Sequence, residues 1–177
     1  MLKYEVTDRR KKHMENSAIG KKTRIKRYIV FSVIVFTITF IFYNSLQTAE
    51  RSMNLSYQFE IFLNTILRGK NGLSRFGAFI LSNIRKVAHF LEFQLLGFEF
   101  GLFFITLGKR IRLQELWNAF SISAAAAVAD ETIQLVIMGR SAEVGDILLD
   151  TGGAVTGIIL VLILSWIVHG VKKRKAG

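Results

Sequence analysis

Residues 128–153 read VADETIQLVIMGRSAEVGDILLDTGG and place five carboxylates within and between two apolar segments. Asp130 and Glu131 lie near the end of the first segment, Glu143 lies in the connection, and Asp146 and Asp150 lie at the start of the second. An aspartate at the centre of a membrane helix costs about 3 kcal/mol on translocon-based scales. These side chains therefore need partners within the protein, and we expect the rest of the chain to supply them.

The composition of the chain is that of a membrane protein, since 51% of its 177 residues are hydrophobic. Its net charge of +11 arises largely from ten basic residues within positions 1–27 and four within positions 172–175. Both groups flank apolar segments, which is typical of cytoplasmic membrane flanks and argues against nucleic-acid binding. Because the chain has no cysteine, it has no disulfides, no thiolate metal site and no cysteine nucleophile.

Four apolar segments predict an all-α, polytopic membrane protein with a bundle of four transmembrane helices. The segments cover residues 28–43, which reach residue 46 if the helix continues, 87–107, 116–138 and 147–169. The predicted transmembrane domain occupies residues 28–170. It lies between a basic, partly disordered tail at residues 1–27 and a second basic tail at residues 171–177.

The connection between spans one and two, residues 44–86, contains an amphipathic pattern. Its apolar residues recur at i, i+3, i+4, i+7 and i+8, and they are Phe59, Phe62, Leu63, Ile66 and Leu67. Gly69 and Gly72 bracket a break after this pattern. We expect a short helix in the membrane interface, and a lid packed on the bundle is the alternative.

Basic residues are distributed unequally between the two sides of this bundle. With four spans, 17 basic residues lie on the side of the termini and seven on the other side. The positive-inside rule then places both termini in the cytoplasm. His89, Glu92, residues 130–134, Asp146 and Asp150 consequently share one level in the outer half of the membrane.

These positions predict a polar pocket that opens outward and is walled by spans two, three and four. Its predicted lining is Lys86, His89, Glu92, Asp130, Glu131, Gln134, Arg140, Asp146 and Asp150. Glu99 lies almost directly below Glu92 on the helical wheel, so one face of span two is acidic and should face inward. Gly153 and Gly157 continue the face of Asp150 with GxxxG spacing, which predicts a close helix contact beneath the pocket.

An ordered set of motifs resembles the VanZ-like membrane proteins of bacteria. The motifs are RKVAHFLEFQLLG at residues 85–97, DETIQ at 130–134, GR at 139–140, Asp146 and DTGGAVTG at 150–157, and the resemblance begins with FYNS at 42–45. It implies a protein of the bacterial plasma membrane associated with resistance to the glycopeptide antibiotic teicoplanin. Phe93 stands where the family commonly has tyrosine, and Asp150 stands where asparagine is frequent, which adds a negative charge to the pocket.

The first functional hypothesis is a binding or interference protein. Its outward pocket would engage a lipid-linked cell-wall precursor, a surface polymer anchor or the glycopeptide itself. Lys86 and Arg140 would hold a phosphate at the membrane surface, where arginine can donate two parallel hydrogen bonds. Asp130, Glu131 and Gln134 would bind polar groups or an amine of the ligand. Membrane lipid is the other expected partner.

The alternative is an intramembrane enzyme that acts on a lipid-linked envelope substrate, in which a divalent cation assists the reaction. His89, Glu92, Asp130 and Glu131 supply the nitrogen and oxygen atoms that such a cation would need. No catalytic residue is assigned, and no other cofactor is indicated.

Two further interpretations remain open. The charged residues could form buried pairs that fix helix register, with Asp130 or Glu131 beside Arg140 and His89 beside Asp146 or Asp150. A transporter would instead use Glu99 as a proton relay in the middle of the membrane.

Overall fold

The computed structural model describes residues 2–67, 75–107 and 112–176, and every regular element in these ranges is an α-helix. The helices are α1 (Leu2–Ser45), α2 (Ala49–Leu67), α3 (Arg75–Ser82), α4 (Ile84–Leu107), α5 (Leu113–Leu135) and α6 (Val144–Ala176). Because the chain has no proline, nothing in it interrupts these long helices by removing a backbone N–H. The predicted all-α fold is confirmed.

Three of the described helices are long and apolar enough to cross a membrane. The apolar stretches are Thr23–Ser45 of α1, Ile84–Ile105 of α4 and Val144–Val168 of α6. At 1.5 Å per residue, about 22 residues reach ~33 Å, which matches a hydrocarbon core of ~30 Å. The length of α5 is also sufficient, but Asn118, Asp130 and Glu131 lower its hydropathy, so its composition alone does not mark it as a span.

α1 begins far before its apolar half. The basic composition of residues 1–27 predicts a partly disordered tail, whereas residues 2–27 continue the helix in the structure. This segment contains only one glycine, Gly20, and its lysine, arginine, glutamate and methionine residues are good helix formers. A charged segment can therefore extend a helix that the apolar half has already nucleated.

The connection between α1 and α4 contains two described helices, α2 and α3. α2 begins ten residues before the amphipathic pattern that predicted a short helix, and the predicted break at Gly69 and Gly72 lies outside the described residues. Phe59 and Phe62 stack with ring centroids 6.2 Å apart and are 50% and 57% exposed. These two aromatic side chains of the amphipathic pattern are thus exposed.

α4 lies at the centre of the bundle, where it contacts α1, α5 and most extensively α6. Glycines allow the α4 and α6 backbones to approach closely. A Cβ atom on Gly153 would overlap the carbonyl oxygen of Phe90, and one on Gly157 would overlap that of Gln94. The close contact predicted from the GxxxG spacing is therefore confirmed.

α5 turns a single face toward α1, α4 and α6. The buried residues of this face are Ala119, Ser123, Ala127, Asp130, Glu131 and Gln134. Small residues four positions apart allow a neighbouring helix to approach. The same face then continues with charged and amide side chains, so α5 carries its polar groups into the protein interior.

Candidate functional site

The ends of four helices meet at one end of the bundle and bring together eleven polar side chains, which we call the polar centre. They are Asn44 and Ser45 from α1, Lys86, His89 and Glu92 from α4, Asp130, Glu131 and Gln134 from α5, Arg140 from the α5–α6 turn, and Asp146 and Asp150 from α6. The last turns of α1 and α5 meet the first turns of α4 and α6.

Asp130 is fully buried and accepts hydrogen bonds at both carboxylate oxygens. The hydroxyl of Ser45 donates to Oδ1, and Nε2 of Gln134 donates to Oδ2 at 2.9 Å. Nδ1 of His89 lies 3.7 Å from Oδ2, which is too far for a hydrogen bond. Hydrogen bonds to a charged acceptor are strong in a low-dielectric interior, so two neighbours fix the orientation of Asp130.

Asp150 is just as deeply buried, with 1% of its surface exposed, but its environment differs. Neither of its carboxylate oxygens has a hydrogen-bond partner among the described residues, and neither does Nδ1 of His89. One atom each from His89, Asp130 and Asp150 lies within 4.8 Å of the other two. An imidazole nitrogen and two carboxylates at this separation form a set that can hold a cation.

A narrow cavity of about 10 Å³ lies beside this triad. It is lined by Arg85, Lys86, His89, Glu131, Gln134, Asp146, Leu149 and Asp150. Such a volume accommodates about one water molecule or one small ion. A larger ligand would have to lie at the exposed end of the cavity, against the helix ends.

Lys86 stands at the exposed end of the cavity, where 46% of its side chain is accessible. Its Nζ atom lies 3.0 Å from Asp146 and 3.7 Å from Glu143. Glu131 is turned toward the same loop, and its Oε2 accepts a hydrogen bond of 3.1 Å from the backbone N–H of Glu143. The start of α6 is thus tied to both α4 and α5.

Arg140 follows Gly139, whose φ of 78° lies in the left-handed region that favours glycine. Nη2 of Arg140 donates to the carbonyl oxygen of Asn44 at 3.3 Å, while Nε and Nη1 are buried without a partner among the described residues. Burial lowers the pKa of Arg140 from its usual value, as does the charge of Arg85, whereas the carboxylates of α5 oppose the shift. The guanidinium nevertheless remains charged at neutral pH.

Glu92 and Glu99 form the predicted inward acidic face of α4. Oε1 of Glu92 accepts a hydrogen bond of 3.0 Å from Nδ2 of Asn44. Glu99, which is 5% exposed, accepts one of 2.9 Å from the hydroxyl of Thr37. Seven residues of helix separate the two carboxylates by ~10.5 Å, so Glu99 lies well below the polar centre.

The residues of the polar centre fall within a recognised sequence pattern. A family model described as VanZ/LLP1 matches residues 29–165, which is most of the chain and includes every residue of the polar centre. The chain belongs to the VanZ/LLP1 family. No curated protein and no solved structure matches it. The resemblance inferred from the motifs is confirmed, and the three apolar helices make this family member a membrane protein.

In this VanZ/LLP1 chain, six of the nine residues that the sequence predicts to line a pocket line the narrow cavity, whereas Glu92, Asp130 and Arg140 belong to the polar centre but are not among the lining residues. Of the pairs considered above, His89 and Asp150 lie together, with one ligand atom of each within 4.8 Å of the other. His89 also stands beside Asp130, and Lys86 stands beside Asp146. Among the described residues, the ion pairs include none between Arg140 and a carboxylate. Of the four candidate metal ligands, Glu92 and Glu131 lie outside the close triad, and Asp150 completes it.

Sequence reasoning missed the contribution of α1 to the site. Ser45, Asn44 and Thr37 each donate a hydrogen bond to a carboxylate of another helix. The signal was present, because Ile34, Thr37, Ile41 and Ser45 recur at helical spacing and are the buried residues among the side chains of α1 that the structure describes. Within so apolar a segment, two hydroxyl residues on one face indicate a polar neighbour.

Proposed function

We propose that this protein binds a phosphate-bearing, lipid-linked component of the bacterial cell envelope at the extracytoplasmic end of its bundle. The observation that carries the proposal is the state of Arg140, which is a charged guanidinium with two buried nitrogens that have no partner among the described residues. Arginine is well suited to phosphate, because its planar donors match the geometry of phosphate oxygens. Lys86 and Arg85 line the neighbouring cavity and add positive charge.

The proposal includes a topology of four spans, in which α5 crosses the membrane beside the three more apolar helices. Two contacts support this placement. At one end, Asp130 of α5 meets Ser45 of α1. Toward the other end, Leu116 and Trp117 of α5 line an apolar groove with Ile158 of α6. α5 thus contacts the other helices at both of its ends, and its buried face accommodates the charges that lower its hydropathy.

Orientation follows from charge. The terminal segments carry most of the basic residues, so the positive-inside rule places both termini in the cytoplasm of the plasma membrane and the polar centre outside. The chain has no cysteine, which permits a direct test. A cysteine replacing Ser141 should react with a membrane-impermeant thiol reagent in intact cells, whereas one replacing Gln114 should react only after permeabilisation. The reverse pattern would refute the orientation.

The size of the cavity limits the binding mode. With room for about one water or ion, the cavity cannot enclose a sugar or a peptide. We therefore place the phosphate against Arg140 and Lys86, with the rest of the head group outside the helices and the lipid chain in the bilayer. A protein bound to such a precursor would compete with a glycopeptide for the same molecule. This competition would account for the association of the family with teicoplanin.

Binding of a fluorescent lipid-linked cell-wall precursor to the protein in lipid nanodiscs tests the proposal. Loss of hydrogen bonds to a charged group costs ~1.5–3 kcal/mol, so Arg140→Ala should weaken binding by about 10- to 150-fold. Arg51→Ala is the matched control, since Arg51 is an exposed arginine of α2 beyond the same end of the bundle. Unchanged affinity of Arg140→Ala for the precursor would refute the proposal, as would tight binding of teicoplanin with no binding of the precursor.

A further inference from the structure

The Asp150 carboxylate is buried without a hydrogen-bond partner among the described residues. It is 1% exposed, and both of its oxygens lack a partner among the described residues. An ionised carboxylate in such surroundings is costly unless it is paired, hydrogen-bonded or bound to a metal. Protonation would remove the charge, but the described residues give neither oxygen a hydrogen-bond partner.

We propose that His89, Asp130 and Asp150 bind a divalent transition-metal ion, through Nδ1 of the histidine and one oxygen from each aspartate. Nδ1 of His89 and Oδ2 of Asp130 are 3.7 Å apart, and one ligand atom from each of the three residues lies within 4.8 Å of the other two. Two ligands that are each ~2.1 Å from a tetrahedral metal ion lie ~3.4 Å apart. A pair at 4.8 Å must therefore approach by ~1.4 Å, or ~0.7 Å for each side chain, to close the site.

The chemistry of the ligands indicates the class of ion. One imidazole nitrogen with two carboxylate oxygens suits Zn²⁺, Fe²⁺ or Mn²⁺, whereas Mg²⁺ and Ca²⁺ prefer oxygen alone. Three protein ligands also leave a coordination position open, as in catalytic zinc sites. His89 and Asp150 line the narrow cavity, so the open position faces a space of about 10 Å³, suited to one water molecule.

The surroundings of the triad have the features of a prepared metal site. Ser45 and Gln134 donate hydrogen bonds to Asp130 and hold it in place, as outer-shell partners do for metal ligands. Glu92 has one oxygen bonded to Asn44, while the other has no hydrogen-bond partner within the described part of the chain and lies 3.9 Å from His89. A doubly charged cation would balance this concentration of carboxylates directly.

This site goes beyond the proposed function and does not depend on it. His89 and Asp150 lie below the proposed phosphate position. Arg140 is not among the proposed metal ligands. Each idea can therefore fail separately: Arg140→Ala should keep its metal, and Asp150→Asn should keep the guanidinium that binds phosphate.

The test is a metal titration of the full chain, purified in detergent and stripped with a chelator. Equilibrium dialysis against buffered Zn²⁺, followed by elemental analysis, should give one ion per chain, and a parallel titration uses Mn²⁺. Asp150→Asn keeps the side-chain shape and should weaken binding more than ~100-fold, since loss of an outer-shell partner alone costs ~10- to 100-fold. Glu143→Gln is the control, because this carboxylate at the same end is 58% exposed and is not a ligand.

Thermal unfolding provides a second measurement that separates metal binding from folding. Zn²⁺ should raise the unfolding temperature of the unsubstituted chain and of Glu143→Gln, because it binds the folded state. Zn²⁺ should leave the unfolding temperature of Asp150→Asn unchanged. We expect this variant to fold without metal. Equal affinity of Asp150→Asn and the unsubstituted chain would overturn the proposal. So would failure of both Zn²⁺ and Mn²⁺ to bind stoichiometrically, which would leave Asp150 hydrated by water instead.

Discussion

α4 meets its two long, apolar neighbours in opposite ways. Against α6 it packs through glycines, which have no side chain. Gly97 of α4 lies so close to Ala154 that a Cβ atom on Gly97 would overlap the backbone of α6. Against α1 it relies on polar side chains, with Thr37 donating to Glu99 and Asn44 donating to Glu92. The first interface is specified by shape, and the second is specified by hydrogen bonds.

This difference bears directly on the polar centre. His89 precedes Phe90, whose carbonyl oxygen contacts Gly153, and Asp150 lies one helical turn before that glycine. The shape-based interface therefore sets the distance between His89 and Asp150. The α1 interface instead orients carboxylates through hydrogen bonds, and these can lengthen or exchange without a steric clash. We infer that α4 and α6 form the rigid frame of the site and that α1 completes it.

The largest effect should come from adding volume to the frame. Gly153→Val would drive a side chain into the carbonyl oxygen of Phe90, and a backbone atom in a helix cannot move aside as a flexible side chain can. Overpacking of well-packed interiors costs ~1–3 kcal/mol, and we expect the upper end of this range or more. The unfolding temperature in detergent and the monodisperse fraction on size-exclusion chromatography should both fall sharply.

The adjacent glycine provides a matched control for this prediction. A Cβ atom on Gly152 would meet nothing within 4 Å, so Gly152→Val has the same change in helix propensity without the overlap. Gly152→Val should remain close to the unsubstituted chain in stability. If the two valine variants were equally destabilised, the cost would arise from helix propensity, and the shape-based description of the α4–α6 interface would be wrong.

Much of the fold could be predicted from the sequence, because long apolar runs can satisfy their backbone groups in a membrane only as helices. The α4–α6 contact was also predictable, since the spacing of Gly153 and Gly157 is a local pattern. The helical state of residues 2–27 was not. Their charge suggests solvation but does not reveal that an adjoining apolar helix can propagate through them.

Apart from Asn44 and Ser45, the members of the polar centre were predictable for a different reason. Charged side chains in apolar segments are costly, so helices are expected to gather them at one level. Their pairing was not predictable, because helix rotation by a few tens of degrees decides whether His89 faces Asp130 or Asp146. The role of Ser45 was also missed, since a hydroxyl at the end of an apolar run resembles an ordinary helix end.

The smallest effect should come from removing one hydroxyl at the α1–α4 interface. Thr37→Val keeps the shape of the side chain but removes the donor to Oε1 of Glu99, whose Oε2 has no partner among the described residues. Hydrogen bonds between membrane helices average ~0.6 kcal/mol and reach ~1.7 kcal/mol. Because the carboxyl group would lose its one described donor, we expect a cost near the upper value, measured as a lowered unfolding temperature.

Two other threonines provide controls that show whether this loss of stability is specific to the α1–α4 interface. Thr39 donates only to the carbonyl oxygen of Val35 on its own helix, so Thr39→Val should change stability little. Thr156 of α6 accepts a hydrogen bond of 3.0 Å from Gln94, but the glycine contacts already fix that interface. Thr156→Val should therefore cost less than Thr37→Val. A larger cost at Thr156 would mean that hydrogen bonds, and not the close backbone approach alone, hold α6 against α4.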